Sequence, residues 1–140
     1  MGSARVSVFA PATVAIVASG FDVLGFALER PGDAVTLSRV PGRTVSVISI
    51  MGDGGKLPRD PLKNTAAVSV TGFLAQIGFP FGVEISLEKR MPLSSGLGSS
   101  AASAVVFGCA SRVRARIDSS RASAASSGRA RASHASAQCR

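Results

Sequence analysis

The chain has no tryptophan and no tyrosine, and its 140 residues include only two cysteines and one histidine. Without Trp or Tyr the sequence has few side chains suited to stacking on bases, which argues against a nucleic-acid-binding surface. Cys109 and Cys139 have neither the spacing of metal ligands nor the density of a disulfide framework, so we expect reduced thiols in a cytoplasmic protein. His134 alone cannot form a histidine-based zinc site.

The overall composition is that of a globular domain. Hydrophobic residues make up 46% of the chain and charged residues 17%, and 140 residues suffice for one domain with its own core. The seven phenylalanines lie mostly in apolar segments, so we predict that they join this core.

The net charge of +8 is concentrated at one end. Residues 1–110 carry nine Lys or Arg against seven Asp or Glu, whereas residues 111–140 carry seven Arg against one Asp. The body is therefore nearly neutral, and its charge gives no reason to expect a nucleic-acid partner.

One long stretch, residues 9–28, contains a single charge and could be mistaken for an export signal or a membrane span. Pro11, Gly20, Asp22 and Gly25 interrupt it, and Asp22 would be unpaired in lipid. We therefore predict a buried strand, an irregular loop and a second strand, and no membrane association.

Several segments have clear secondary-structure patterns. Three segments are predicted to form strands: 4–10, 33–40 and 43–50. Pro11 is predicted to end the first run, and Pro41-Gly42 is predicted to turn the other two into a hairpin. The glycine- and proline-rich stretch 51–61 is predicted to be a loop.

The second half of the body predicts a helix, a strand and another helix. Residues 64–77 have helical spacing, with Asn64 as N-cap and Gly78 at the C-terminal end. Residues 81–89 alternate as a strand, and a helix of small residues is predicted over 99–110. The fold class is therefore α+β, a mostly antiparallel sheet with the helices on one face.

The loop between that strand and helix, "PLSSGLGSSAAS" at residues 92–103, is rich in glycine and serine. Gly96 and Gly98 permit positive φ and leave the backbone open to a ligand. The amides that begin the following helix lack intrahelical partners, so loop and helix together favour an anion such as phosphate.

Three interpretations of this loop can be compared from its residues alone. It is not a Walker A loop, because no Lys follows Gly98 in the required order. It partly fits a dinucleotide fingerprint, with Gly96, Gly98 and Ala101 in place and Asp118 twenty residues beyond Gly98. It could also be a flexible Gly-Ser connector.

Three segments taken together favour the phosphate-binding interpretation. They are "VFAPATVAIVASGFDVLGFAL" near the N-terminus, "DPLKN" at 60–64 and "PLSSGLGSSAASA" at 92–104. In this order and spacing they resemble the GHMP family of small-molecule kinases, and within it the branch that phosphorylates L-homoserine. The resemblance covers roughly residues 5–110 and implies the family's N-terminal domain, whose fold is similar to a domain of a ribosomal protein.

The resemblance implies a set of site residues. The ATP phosphates would be held by residues of the glycine-serine loop, namely Pro92, Leu93, Ser94, Ser95, Gly96, Leu97, Gly98, Ser99, Ser100, Ala101 and Ala102. Ser100 matches the position that reaches Mg²⁺, and Asn64 a position that contacts the nucleotide base. Asp22 matches an acidic residue that meets the ammonium group of the amino-acid substrate. Asn64 is also the predicted helix cap, and one side chain has limited capacity for both roles.

The implied reaction is transfer of the γ-phosphoryl group of ATP to the hydroxyl of L-homoserine, a step toward threonine. Catalysis would rest on positioning and on charge neutralisation by loop amides and Mg²⁺, and no catalytic base is assigned. Full-length members of the family often form homodimers, so the resemblance implies a homodimer for the full-length protein and not for this chain.

The chain departs from the family at two places. Ile16 stands where the family has an Asn that helps to bind the amino acid, which predicts a loss of about 1–3 kcal/mol of substrate binding. After Ala110, Ala, Arg and Ser fill twenty-three of thirty positions, with nothing like the family's acidic metal ligand or third motif.

We therefore divide the chain into an incomplete ATP-binding domain, 1–110, and a tail, 111–140. The tail is predicted to be disordered, or to result from a frameshift or truncation, because a GC-rich coding sequence read in the wrong frame gives this composition. In the alternative hypothesis the tail is genuine, and its arginines bind RNA without any catalysis.

Overall fold

The structure, a computed structural model, describes residues 5–15, 17, 23–105, 108 and 136–138. Within these residues the chain forms strands β1 (Arg5–Val14), β2 (Phe26–Val40) and β3 (Val45–Met51), helix α1 (Thr65–Gln76), and strand β4 (Gly82–Glu88). Residues 99–105 are helical and are called α2, and a short strand β5 (Ser136–Gln138) completes the sheet.

The sheet has the strand order β3-β4-β2-β1-β5. The β1/β2 and β2/β4 pairs are antiparallel, whereas β3/β4 and β1/β5 are parallel. Helix α1 connects the parallel strands β3 and β4 and packs against both. The predicted α+β class is confirmed, with a mixed sheet.

One apolar core lies between the sheet and the helices. The strands alternate in burial, and α1 contributes a stripe of small and branched residues that covers the same face. The buried apolar side chains are Val6, Val8, Ala10, Ala12, Val35, Leu37, Val47, Ala66, Ala67, Val70, Leu74, Val83, Ile85, Leu87, Met91 and Ala102. Since α1 and α2 both contribute to this one cluster, the helices share a face of the sheet, as predicted.

The predicted hairpin over 33–50 is wrong. Strands β2 and β3 are not neighbours, because β4, which comes more than thirty residues later in the chain, lies between them and pairs with both. The turn after β2 still forms, with Gly42 at φ 97°, and the Thr44 carbonyl accepts a bond from the Val83 amide at 2.8 Å. The turn dipeptide was interpreted correctly, but the pairing depended on a distant strand.

The predicted end of β1 at Pro11 is also wrong. The strand continues to Val14, and Pro11 pairs with Gly32 next to a register shift that separates it from Thr13. A β-bulge is one of the few places within a sheet where the missing proline N–H is tolerated.

The second half of the fold follows its sequence pattern closely. Asn64 caps α1, and Gly78 follows the helix at φ 78°, where left-handed backbone favours glycine. Val83, Ile85 and Leu87 of β4 are buried as expected. The described phenylalanines are less buried than predicted: Phe73, Phe79 and Phe81 are partly buried and pack against the core, and Phe26 is 52% exposed.

Candidate phosphate-binding site

A cavity of about 410 Å³ lies between the glycine-serine loop and the segment that leads into α1. Its floor is formed by Leu87 and Lys89 at the end of β4. The other lining residues come from the two flanking segments: Leu57, Pro58, Lys63, Asn64, Thr65, Pro92, Leu93, Ser94, Ser95, Gly96, Leu97, Gly98, Ser99, Ser100, Ala101 and Ser103. The volume is in the range of small-molecule sites.

The backbone of the loop has the conformation that its glycines predicted. Gly96 and Gly98 have φ of 73° and 72°, and Ser94 has φ of 60°. The Leu97 carbonyl accepts a hydrogen bond from the Thr13 amide at 3.0 Å, which ties the loop to the end of β1. The Gly98 carbonyl accepts from the Ala102 amide at 2.8 Å, the first intrahelical bond of α2.

Asn64 forms the opposite wall and is almost fully buried. Its side-chain oxygen accepts from the Ala66 amide at 3.1 Å, and its Nδ2 donates to the Pro58 carbonyl at 2.9 Å. The predicted cap is therefore confirmed. The same side chain also holds the preceding loop against the helix.

Beneath the loop lies a charged cluster that the sequence interpretation did not include. Asp33, on β2, is fully buried, and its Oδ2 contacts Lys89 Nζ at 2.5 Å. Ser99 Oγ donates to the same oxygen at 2.6 Å. The other oxygen, Oδ1, accepts from the amides of Arg90 at 2.9 Å and Met91 at 3.0 Å.

The hydrogen bonds decide the ionisation of Asp33. Burial by itself raises the pKa of a carboxyl group. Here the donors, with Lys89 and Ser99 contributing most after burial, outweigh it and hold the pKa of Asp33 below its usual 3.8. Asp33 is therefore a carboxylate at neutral pH and forms an ion pair with Lys89.

Lys89 and Lys63 both line the cavity, but they differ in what their ammonium groups can do. Lys89 Nζ donates to Asp33, to the Ser99 carbonyl at 3.2 Å and to Ser103 Oγ at 2.8 Å. These three bonds use all the donors of an ammonium group. Lys63 is exposed in the segment just before α1, so its charge is available to an anion in the cavity.

The structure brings most of the sequence-predicted site residues together. Residues 92–101 and Asn64 all line the cavity, and Ser100 is exposed there. Ala102 is instead buried in the core, and the Ser99 hydroxyl points to Asp33. Asp22 and Ile16, which the resemblance connects with the amino-acid substrate, lie outside the described residues.

Asp33 and Lys89 had a usable signal in the sequence. Asp33 is in phase with the buried Val35 and Leu37, and Lys89 is in phase with Ile85 and Leu87. Charges of opposite sign at inward positions of two strands indicate a buried ion pair.

The part of the chain that the structure describes contains neither a candidate metal-binding group nor a helix that could span a membrane. There, three or more His, Cys, Asp or Glu side chains nowhere come together in a group that could hold a metal ion. In the same residues, each helix is too short or too polar to cross a bilayer.

Comparison with known proteins shows which family the chain resembles. Residues 64–132 match the model of the GHMP kinases N terminal domain, a segment that contains α1, β4 and the whole glycine-serine loop. Over these residues the chain resembles the N-terminal domain of GHMP kinases. The family match also continues past residue 110, where the composition changes.

The chain is similar in sequence to homoserine kinases. The chain is 51% identical over 110 residues to the homoserine kinase of Chloroherpeton thalassium, and 44% identical over 97 residues to that of Xanthomonas campestris. These alignments cover 71% and 69% of this chain, and 34% and 30% of the relatives.

A solved structure gives the same result. The crystal structure of homoserine kinase from Cytophaga hutchinsonii matches with a TM-score of 0.69 and 54% sequence identity, over 72% of this chain and 32% of that one. The chain thus spans about a third of the length of the relatives that it matches.

Proposed function

We propose that the chain binds ATP in the cavity beside the glycine-serine loop and acts in the phosphorylation of L-homoserine. The observation that carries this proposal is the cavity itself, which residues 92–101 and Lys63 line. The positive-φ glycines leave loop amides without side-chain cover, and amides of this kind bind phosphate oxygens well.

In the proposed reaction the hydroxyl oxygen of homoserine attacks the γ-phosphorus of ATP. A new P–O bond forms while the bridge to the β-phosphate breaks, giving O-phosphohomoserine, ADP and a proton. This chain's residues would hold the phosphates in line through the loop amides and the Lys63 ammonium. The product would serve threonine synthesis.

Mg²⁺ fits this site if the nucleotide supplies most of its ligands. Ser100 offers an exposed hydroxyl on the cavity wall, and phosphate oxygens and water are the ligands that Mg²⁺ prefers. Such an ion would neutralise charge on the transferring phosphoryl group. We assign no catalytic base, since Asp33 and Lys89 are already bonded to each other and to their neighbours.

The test is a titration of the 140-residue protein with ATP and Mg²⁺, followed by an assay of homoserine-dependent ADP release. Gly98→Asp places a carboxylate in the loop and should abolish ATP binding. Gly42→Asp is the matched control, because Gly42 also has positive φ but lies in a turn outside the cavity. Wild-type protein that is folded and binds no ATP at millimolar concentration would refute the proposal.

A further inference from the structure

We propose that Asp33 and Ser99 are positioning residues, which set the shape of the glycine-serine loop from below without contacting the nucleotide. This inference rests on the proposed function in the sense that the loop is taken to hold phosphates. It adds that the two adjacent serines have different tasks: the Ser99 hydroxyl holds the loop, and the Ser100 hydroxyl meets the ligand.

The first observation is that one carboxylate is bonded to both ends of the loop. The amides of Arg90 and Met91 immediately precede Pro92 and donate to Asp33 Oδ1. The hydroxyl of Ser99, which immediately follows Gly98, donates to Oδ2. The residues on both sides of the segment 92–98 are therefore hydrogen-bonded to the same side chain, that of Asp33.

The second observation is the use of Lys89. Its ammonium bonds to Asp33 and reaches across to α2 through the Ser99 carbonyl and Ser103 Oγ. Ser103 Oγ in turn donates to the Ser99 carbonyl at 3.1 Å. Although Lys89 lines the cavity, its charge is directed into this network, so it acts as a second link between β4 and α2.

The third observation is where the two serine side chains lie. Ser99 is half-buried, and its hydroxyl bond to Asp33 is 2.6 Å long. Ser100 is exposed on the cavity wall. A buried carboxylate with four donors is rigid because losing any donor leaves a charge under-satisfied. Such a group can keep a glycine-rich segment in the conformation that a ligand needs.

The test compares three variants of the full chain: Ser99→Ala, Ser99→Thr and Ser100→Ala. ATP binding is measured for each with excess Mg²⁺ and with EDTA. We expect Ser99→Ala to weaken binding about tenfold under both conditions, because it removes a bond to a charged group and no metal contact. Ser99→Thr keeps the hydroxyl and should bind within about twofold of wild type. Ser100→Ala should weaken binding only when Mg²⁺ is present.

A second readout keeps the test independent of nucleotide binding. Amide hydrogen exchange of the ligand-free protein should accelerate at Ala102 and Met91 in Ser99→Ala, and remain as in wild type in Ser100→Ala. If wild type binds no ATP, the proposed function fails, and this exchange pattern still decides the positioning role. A Ser99→Ala loss that appears only with Mg²⁺, or exchange that is unchanged in Ser99→Ala, would overturn the inference.

Discussion

Gly98 in the loop and Thr13 at the end of β1 approach each other so closely that a methyl group on Gly98 would stand 2.5 Å from Thr13 Oγ1. Gly98 also has φ of 72°, a backbone conformation that glycine adopts readily. Gly96 has a similar φ of 73° but open space around it. Substitutions at the two glycines therefore separate the free-energy cost of left-handed backbone from the cost of a clash with Thr13.

We predict that Gly98→Ala reduces ATP affinity and stability more than Gly96→Ala does. Both variants pay about 1–2 kcal/mol for left-handed backbone, and only Gly98→Ala adds a clash with Thr13. Denaturant unfolding and ATP titration measure the two effects.

Thr13→Ala provides the control for the Gly98 prediction. It removes Oγ1 and leaves the next side-chain atom 3.9 Å from the added methyl, so the double variant Thr13→Ala/Gly98→Ala should recover part of the loss. Strictly additive single and double variants would mean that the loop does not depend on this contact.

Substitution of Asp33 should be more damaging than substitution of Lys89. Both oxygens of Asp33 accept from donors, so an Asn at this position turns its NH₂ group toward other donors in either orientation. We expect Asp33→Asn to lower the free energy of unfolding by about 3–5 kcal/mol. Lys89→Met leaves the carboxylate with three donors and should cost less.

Urea denaturation of both variants tests this order. Glu88→Gln serves as the control, because it breaks the exposed ion pair with Arg90, which should cost about 0–1 kcal/mol. Equal losses for Asp33→Asn and Lys89→Met would contradict the assignment of Asp33 as the centre of the cluster.

The position of this ion pair could have been predicted once the sheet register was known. In the β2/β4 ladder Ala34 pairs with Glu88 and Val35 with Leu87, so the next pair outward is Asp33 with Lys89. The alternation of each strand is visible in the sequence, but the register between strands far apart in the chain is not. The local pattern of each strand therefore predicts that Asp33 and Lys89 point inward, but it does not predict that they pair with each other.

The same distinction explains the wrong hairpin. The runs that became β2 and β3 have correct strand patterns and a correct turn, yet β4 pairs with both. Helix α1 and the loop were predictable because their signals, the Asn64 cap and the glycines, are contained in a few residues. Strand pairings are not predictable in this way, because they depend on folding of the whole sheet.

Asn64 allows its capping role to be separated from nucleotide contact. Asn64→Asp keeps an oxygen for the Ala66 amide and loses the donor to the Pro58 carbonyl, whereas Asn64→Ala loses both. We expect Asn64→Ala to cost about 1 kcal/mol of stability through the cap alone, and Asn64→Asp to cost less. Thermal unfolding measures the cap, and ATP titration of Asn64→Asp measures the nucleotide contact. Wild-type affinity in Asn64→Asp would exclude Nδ2 from base recognition.

Stability should fall in acid through Asp33. Its pKa lies below 3.8 in the folded protein, so as the pH falls through 3.8 the unfolded chain takes up a proton that the folded one does not. The contribution of this group is complete above pH 3.8 and is lost as the pH drops through the folded pKa. In Lys89→Met a major cause of the lowering is gone, so the folded pKa lies closer to 3.8, and the loss through this group should be smaller and should end at a higher pH.

Unfolding free energies from denaturant curves between pH 7 and pH 2.5 check the acid prediction. Because the pair is buried, 0.5 M salt should leave the shape of the profile in place. If the free energy of unfolding depends on pH in the same way in wild type and in Lys89→Met, the ion pair does not control the loss of stability in acid. Asp53, whose pKa is lowered by bonds from the Leu57 and Gly55 amides, adds to the slope in both proteins.

Lys63 is the cavity ammonium that we expect to meet phosphate. It is exposed on the cavity wall, while Lys56 is exposed in the same connecting segment outside the cavity. Lys63→Met should reduce ATP affinity about fivefold, the effect of one partly solvated charge contact of about 1 kcal/mol. Lys56→Met should bind ATP like wild type. The loss should grow with phosphate number, from adenosine through ADP to ATP, and shrink in high salt. Equal losses for adenosine and ATP would assign Lys63 to the wall beside the base and remove it from the phosphate site.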